Sequence, residues 1–185
     1  MIRNEVTDTI AARRSIRKYT DRRLTAEELE TILECGTLAP SGMNLQQWFV
    51  AAVQDPALLR EISALQKEAM LAMPGLPPAM KEKTADPAFD ATFGAPALLV
   101  VTSGSPRGST DACLLGENMV LAAQSLGLGT CVSGSVVMAF QGEKGKALLA
   151  RLGVPEGYEP VFGITVGQPA EAPEAKPRDR KYTII

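Results

Sequence analysis

Histidine is missing altogether from the 185 residues. It is the usual general base near neutral pH and the commonest metal ligand. Ser-His-Asp and Cys-His nucleophilic catalysis are therefore excluded on this chain, as is histidine-ligated zinc or iron. An enzyme built from this sequence leaves its difficult chemistry to a cofactor. Cysteine is scarce. Cys35, Cys113 and Cys131 form an odd set with no CxxC pair, which argues against a disulfide framework or a structural zinc site; three small buried thiols are expected. No apolar run approaches the ~18 residues that a membrane helix needs, and the longest comparable stretch is Ala95 to Val101. The opening Met1-Ile2-Arg3-Asn4-Glu5 has no apolar segment of the kind a secretory signal carries, so a cytoplasmic location is expected. A strong charge of either sign is lacking too. The net charge is −2 and aromatics make up 5%, which speaks against a polyanion-binding surface and against a nucleic-acid partner.

What is present is a chain of single-domain length, residues 1–185, with 45% hydrophobic residues, enough for a real core. The cations are unevenly placed. Arg3, Arg13, Arg14, Arg17, Lys18, Arg22 and Arg23 fall in the first 23 residues, and Lys176, Arg178, Arg180 and Lys181 in the last ten, together 11 of the 19 Lys and Arg. The two chain ends could converge on one small anion. Two short segments carry most of the information. Arg13-Arg14-Ser15-Ile16-Arg17 is a dense cluster of fixed cations with a hydroxyl. Ala39-Pro40-Ser41-Gly42-Met43-Asn44-Leu45-Gln46-Gln47-Trp48 is a loop of hydrogen-bonding side chains closed by the only tryptophan. A phosphorylated, planar, polar-edged ligand needs both kinds of surface, and the combination points to flavin mononucleotide.

The pattern along the chain predicts a short helix over Val6–Ala12 and a second one starting at Thr25, where Thr25-Ala26-Glu27-Glu28 is a capping box. Leu29, Ile32, Leu33 and Leu38 follow at helical spacing. A strand over Gln47–Gln54 ends at Asp55-Pro56, a good cap and first residue for a helix through Glu68. Residues 73–87, rich in proline and methionine, read as a mobile excursion with short helical pieces. A buried strand covers Pro96–Thr102, a loop residues 105–109, and a long helix Asp111–Leu126 with Leu115, Met119, Ala122, Ala123 and Leu126 on one face. A short strand over Thr130–Ser133, a helix including Ala147–Leu152 and a last strand over Tyr158–Val166 complete the order. From Gln168 onward the chain should be extended. Nucleotide fingerprints are missing. Gly127-x-Gly129 is followed by Val132, so GxGxxG fails, and no GxxxxGK[ST] exists.

The segments RRSIR, APSGMNLQQW, GLGTC after the long helix and the basic KPRDRK tail, in this order and spacing, resemble the nitroreductase family of FMN-dependent oxidoreductases. The resemblance covers nearly the whole chain. It implies an α+β fold with a small, mainly antiparallel sheet flanked by helices, and a homodimer with FMN at the subunit interface. The tail, 168–185, would cross to the partner. It implies an FMN-dependent enzyme that uses NAD(P)H to reduce nitroaromatics, quinones or similar electron-poor acceptors by a ping-pong hydride transfer. Relatives that fragment reduced flavin or remove halogen, and a flavin carrier without turnover, are the alternatives. Arg13 matches the arginine at the FMN phosphate, Arg14 and Ser15 lie beside it, and Arg17 matches a cation near the pyrimidine edge. Arg178 and Arg180 match tail cations completing the phosphate site. Pro40, Ser41, Gly42, Asn44 and Gln46 resemble the loop that one subunit offers to the other's flavin. Trp48 begins the strand beneath the site. Val132, Ser133 and Gly134 match the segment along the flavin ring, although the family is usually bulkier there. Where the family carries an asparagine at the pyrimidine ring, before Ala95, this chain offers Asp90 nearby. RRSIR follows a helix, whose C-terminus carries about half a negative charge and repels phosphate; side-chain cations must do the binding, and the forked donors of arginine suit it.

Overall fold

Side-chain caps start the first three helices. The computed structural model describes residues 1–105 and 108–185. Helix α1 (Glu5–Ala12) is capped by Asn4 and Thr7, which exchange bonds as a capping box. In α2 (Ala26–Thr37) the expected box is present: Glu28 N donates to Thr25 Oγ1 at 3.1 Å, and Thr25 N donates to Glu28 Oε2 at 2.8 Å. Asp55 caps α3 (Pro56–Ala72) by accepting from the amides of Ala57 and Leu58. That helix runs four residues past the expected Glu68 because Met70 still buries itself on the core side. The excursion after it contains a short helix, α4 (Pro78–Ala85), whose one buried residue is Thr84.

Four strands form one antiparallel sheet: β1 (Trp48–Val53), β2 (Ala97–Ser103), β3 (Gly129–Ser133) and β4 (Glu159–Gly167), in the order β1-β2-β4-β3. This is the expected α+β architecture. All seven residues of β2 are buried. Because successive side chains point to opposite faces, Leu99 and Val101 join a core with Ile32, Leu115, Met119 and Ile164, under α2 and α5 (Gly108–Ser125). Leu98 and Val100 join a second core with Ile62, Val136 and Leu148, under α3 and α6 (Gly142–Arg151). At Gly116 the fit of α5 to the sheet is so close that a Cβ would stand 2.5 Å from the Phe162 ring.

Several expectations change in detail. Of the loop expected over 105–109, positions 106 and 107 lie outside the described residues, and Gly108 and Ser109 already belong to α5. Leu38 and Leu126 are exposed rather than on a buried face, because each lies just beyond the last turn of its helix. Of the three cysteines only Cys131 is buried; Cys35 is half-buried and Cys113 exposed. A helical turn over Ser135–Phe140 and the start of α6 at Gly142 had no counterpart in the sequence pattern. Among the described residues no helix is long and apolar enough to cross a membrane.

Candidate cofactor site

The arginine segment is laid along the outer edge of β3. Ser15 bridges to Thr130, and Ile16 N donates to Thr130 O at 2.8 Å. The contact needs glycine on the strand, since a Cβ at Gly129 would meet the Ile16 side chain at 2.7 Å. Ile16 is buried there, which turns Arg13, Ser15 and Arg17 away from the core. Arg14 serves α1 instead: its Nη1 donates to Ala11 O at 2.7 Å and to Arg13 O at 2.8 Å, answering the carbonyls at the helix end. Arg13 has no hydrogen bond or ion pair to its side chain among the described residues, so its guanidinium is free for an outside anion. Arg17 lies over the Phe93 ring, 5.9 Å from its centroid. Burial pushes the Cys131 thiol above its ordinary value, while Arg17 and Arg13 pull it back down, so both cations flank this strand.

The strand itself ends open to solvent. Val132 is 51% exposed, and an added Cβ at Gly134 would meet nothing within 4 Å. Ser133 and Ser135 share a hydroxyl contact of 3.2 Å, and Gln66 Nε2 donates to Ser135 Oγ at 2.9 Å. Beside them lies a pocket of about 470 Å³ whose walls include Met70, Met80, Phe89, Phe93, Ser133 and Ser135. A larger pocket of about 700 Å³ adjoins it across Ala88, Phe89 and Asp90. Its cations Arg23, Arg60 and Lys67 are matched by Asp21, Asp90 and the nearby Asp55, so it has no clear preference for an anion.

The second predicted segment lies elsewhere. Pro40, Ser41, Gly42, Asn44 and Gln46 lead into Trp48 at the start of β1, and Trp48 is half-buried against the core. Trp48 pairs with Ser103, which pairs with Glu159, whereas Thr130 pairs with Val166 at the far end of β4. Three strand spacings across and seven residues along place the loop and the arginine segment more than ~20 Å apart, at diagonal corners of the sheet. The loop is tight and left-handed at three non-glycine positions, with φ of 53° at Met43, 55° at Asn44 and 50° at Gln46. Each such residue costs about 1–2 kcal/mol, and strain of this kind clusters at ligand clamps. Arg178 and Arg180 are exposed and make no bond to other described residues. The chain ends do meet, but earlier in the tail. Thr20 N donates to Gln168 O, Ala170 N to Lys18 O, and Arg17 N to the Glu171 carboxylate, so the tail leaves the body at about residue 172 rather than 168. Tyr19 is locked beneath this crossing by bonds to Ile16 O at 2.7 Å and Thr165 Oγ1 at 2.8 Å; burial raises its phenol well above the ordinary value.

The profile of the Nitroreductase family matches residues 10–168. The chain belongs to that family. It is 30% identical over 193 aligned residues to the FMN reductase (NADPH) of Bacillus subtilis strain 168, covering 98% of this chain and 72% of that protein. To the NADPH-flavin oxidoreductase of Vibrio harveyi it is 29% identical, covering 98% and 73%. A nitroreductase with bound FMN from Bacteroides fragilis superposes with a TM-score of 0.88 at 31% identity, covering 99% of this chain and all of that one. Another, from Desulfitobacterium hafniense and also with bound FMN, gives 0.92 at 28% over the full length of both.

For a nitroreductase, the turn before β2 shows what sequence reading missed. Asp90 is not free to meet a ligand. Its Oδ1 accepts from Thr92 N at 2.8 Å and Thr92 Oγ1 at 2.7 Å, and its Oδ2 from Gly94 N at 2.7 Å. Burial pushes its carboxyl up, but these bonds outweigh it and hold the group below the usual carboxylate range. The turn they close forces Phe93 to φ 59° and presents its ring to Arg17 and to the smaller pocket. An Asp-x-Thr-x-Gly spacing, which carries Asx-turn chemistry, was the available signal. A carboxylate with a depressed pKa stabilises the fold above its unfolded pKa, and that contribution fades as pH falls through the folded value. Asp90→Asn is expected to lower stability by about 1–2 kcal/mol at pH 7. The gap to the parent should shrink below about pH 4, as read by urea unfolding at the two pH values; a gap that does not change with pH would remove the charge from this account.

Proposed function

We propose that this nitroreductase-family chain is an FMN-dependent NAD(P)H oxidoreductase, with nitroaromatics, quinones or similar electron-poor molecules as acceptors. The observation that carries the reading is the row of Arg13, Ser15 and Arg17 along β3 beside an open surface at Val132, Ser133 and Gly134. That donor set fits a flat, phosphorylated cofactor. Arg13, with Arg178 or Arg180 from the tail, would hold the phosphate through charge-assisted bonds. Arg17, steadied over Phe93, would face the pyrimidine edge, and Val132 to Gly134 would bed the ring. FMN held there would supply the hydride-transfer chemistry that links the dinucleotide to the acceptor. Arg17 would offset negative charge at the pyrimidine edge. Water supplies protons, which suits a chain without histidine. The pocket walled by Met70, Met80, Phe89 and Phe93 supports a single slot that reductant and acceptor would occupy in turn, as a ping-pong cycle requires.

We propose further that the working unit is a homodimer, with the whole chain forming one FMN-binding unit and residues 168–185 crossing to the partner. The diagonal separation of the two ligand-facing segments supports this. A second copy can bring Ser41, Asn44 and Gln46 to the arginines that its own loop cannot reach. Helix α1 buries none of its residues within the chain, and Val6, Ile10, Leu38 and Met43 are at least half exposed, apolar side chains that a partner subunit would cover. Purified protein loaded with FMN is expected to be yellow, to bleach on anaerobic addition of NADH or NADPH, and to recover colour with a quinone or nitroaromatic. A folded sample that takes up no FMN would defeat the reading.

A further inference from the structure

We propose that Asp111, in the first turn of α5, is a positioning residue for the flavin site: it latches the 41–46 loop in its left-handed shape. The inference rests on the dimeric FMN reading for its functional consequence, though not for its structural part. The loop leans little on packing, since residues 42–47 are all exposed and Met43 is 89% so. Its shape must come from hydrogen bonds. Asn44 N donates to Ser41 O at 3.0 Å, Leu45 N to Gly42 O at 3.1 Å, and Gln46 N to Ser41 Oγ at 3.1 Å. These lie within the loop and travel with it. Among the described residues, one bond fastens it to the rest of the protein: Gly42 N donates to Asp111 Oδ2 at 3.1 Å. Asp111 sits where a helix N-terminus favours a carboxylate, on a helix whose next turn, at Ala112 and Leu115, is fixed in the core.

The latch matters for what the loop displays. Gln46 Nε2 donates to Asn44 Oδ1 at 3.1 Å, which leaves Asn44 Nδ2 and Gln46 Oε1 unanswered among the described residues. A donor and an acceptor held in this way can meet a polyol or a ring edge on the partner subunit without first being ordered. Releasing Gly42 lets the three left-handed residues relax, and the amide pair scatters with them.

Three proteins test this: the parent, Asp111→Ala and Asp111→Asn, the last keeping a carbonyl oxygen for Gly42 N. Two readouts are taken, the FMN dissociation constant by fluorescence titration and hydrogen exchange at the amides of Gly42 and Gln46 in FMN-free protein. Asp111→Ala should weaken FMN about fivefold and speed exchange at both amides about tenfold. Asp111→Asn should recover most of each effect. Exchange at the parent rate in Asp111→Ala overturns the latch, whether or not FMN binds. Faster exchange with an unchanged FMN constant overturns its role toward the flavin. A parent that binds no FMN while exchange responds as stated defeats the flavin reading and leaves the latch standing.

Discussion

Arg13→Ala is expected to weaken FMN binding by about 10- to 100-fold, the worth of one charge-assisted hydrogen bond of about 1.5–3 kcal/mol. The size follows from the state of the side chain in the protein without ligand. Arg13 is already turned out of the core by the burial of Ile16, and it has no acid partner to surrender among the described residues. No existing ion pair must be broken, so nearly the whole of its bond to a phosphate counts as affinity. Arg14 supplies the contrast. Its guanidinium is engaged by the carbonyls of Ala11 and Arg13, so Arg14→Ala should affect α1 more than FMN. Arg180→Ala falls in the same range as Arg13→Ala if the tail completes the phosphate site. The loss for Arg13 and Arg180 should shrink with added salt, because both cations are accessible to solvent. Equal dissociation constants for parent and variants, by fluorescence titration at fixed ionic strength, would count against these roles.

The contrast between Arg13 and Arg14 shows where sequence reading stops. Two adjacent arginines after a helix look alike as letters. Only the carbonyls at the end of α1 sort them, and their direction depends on where the helix terminates. Features written in a few neighbouring residues were legible: the Thr25 capping box, Asp55-Pro56 before α3, and the continuous apolar run that became β2. Features that depend on distant partners were not. Ser135–Phe140 contains three strand-favouring residues, Val136, Val137 and Phe140, and still turns helically, because Val136, Ala139 and Phe140 must face the α3 and α6 core. The left-handed backbone at Met43, Gln46 and Phe93 is carried by residues that rarely adopt it. At Phe93 the Asp-x-Thr-x-Gly spacing was the one local mark, whereas the 41–46 loop is fastened by Asp111, 69 residues away, which nothing in the loop's own letters announces. The candidate site divides in the same way. RRSIR and the β3 segment were read as neighbours of one ligand and lie together, whereas the distance from them to the 41–46 loop is a property of sheet order.

That distance makes a mixed dimer the most discriminating test of the assembly. In a homodimer each flavin would be held by the arginine segment of one subunit and the loop of the other. Consider dimers purified through two different tags, with Arg13→Ala and the pair Asn44→Ala and Gln46→Ala as the lesions. With all substitutions on one subunit, each of the two sites inherits one lesion, and both should bind FMN about 10- to 100-fold more weakly than the parent. With Arg13→Ala on one subunit and the loop substitutions on the other, both lesions fall in the same site. The second site is then built from an intact arginine segment and an intact loop, and it should titrate with one FMN per dimer at parental affinity. If instead each chain held its own flavin with both segments, the two arrangements would exchange behaviour: the one-subunit lesion would leave a parental site, and the divided lesion would leave none. More than ~20 Å between the segments within one chain, across four strands whose order is β1-β2-β4-β3, is why the first pattern is expected.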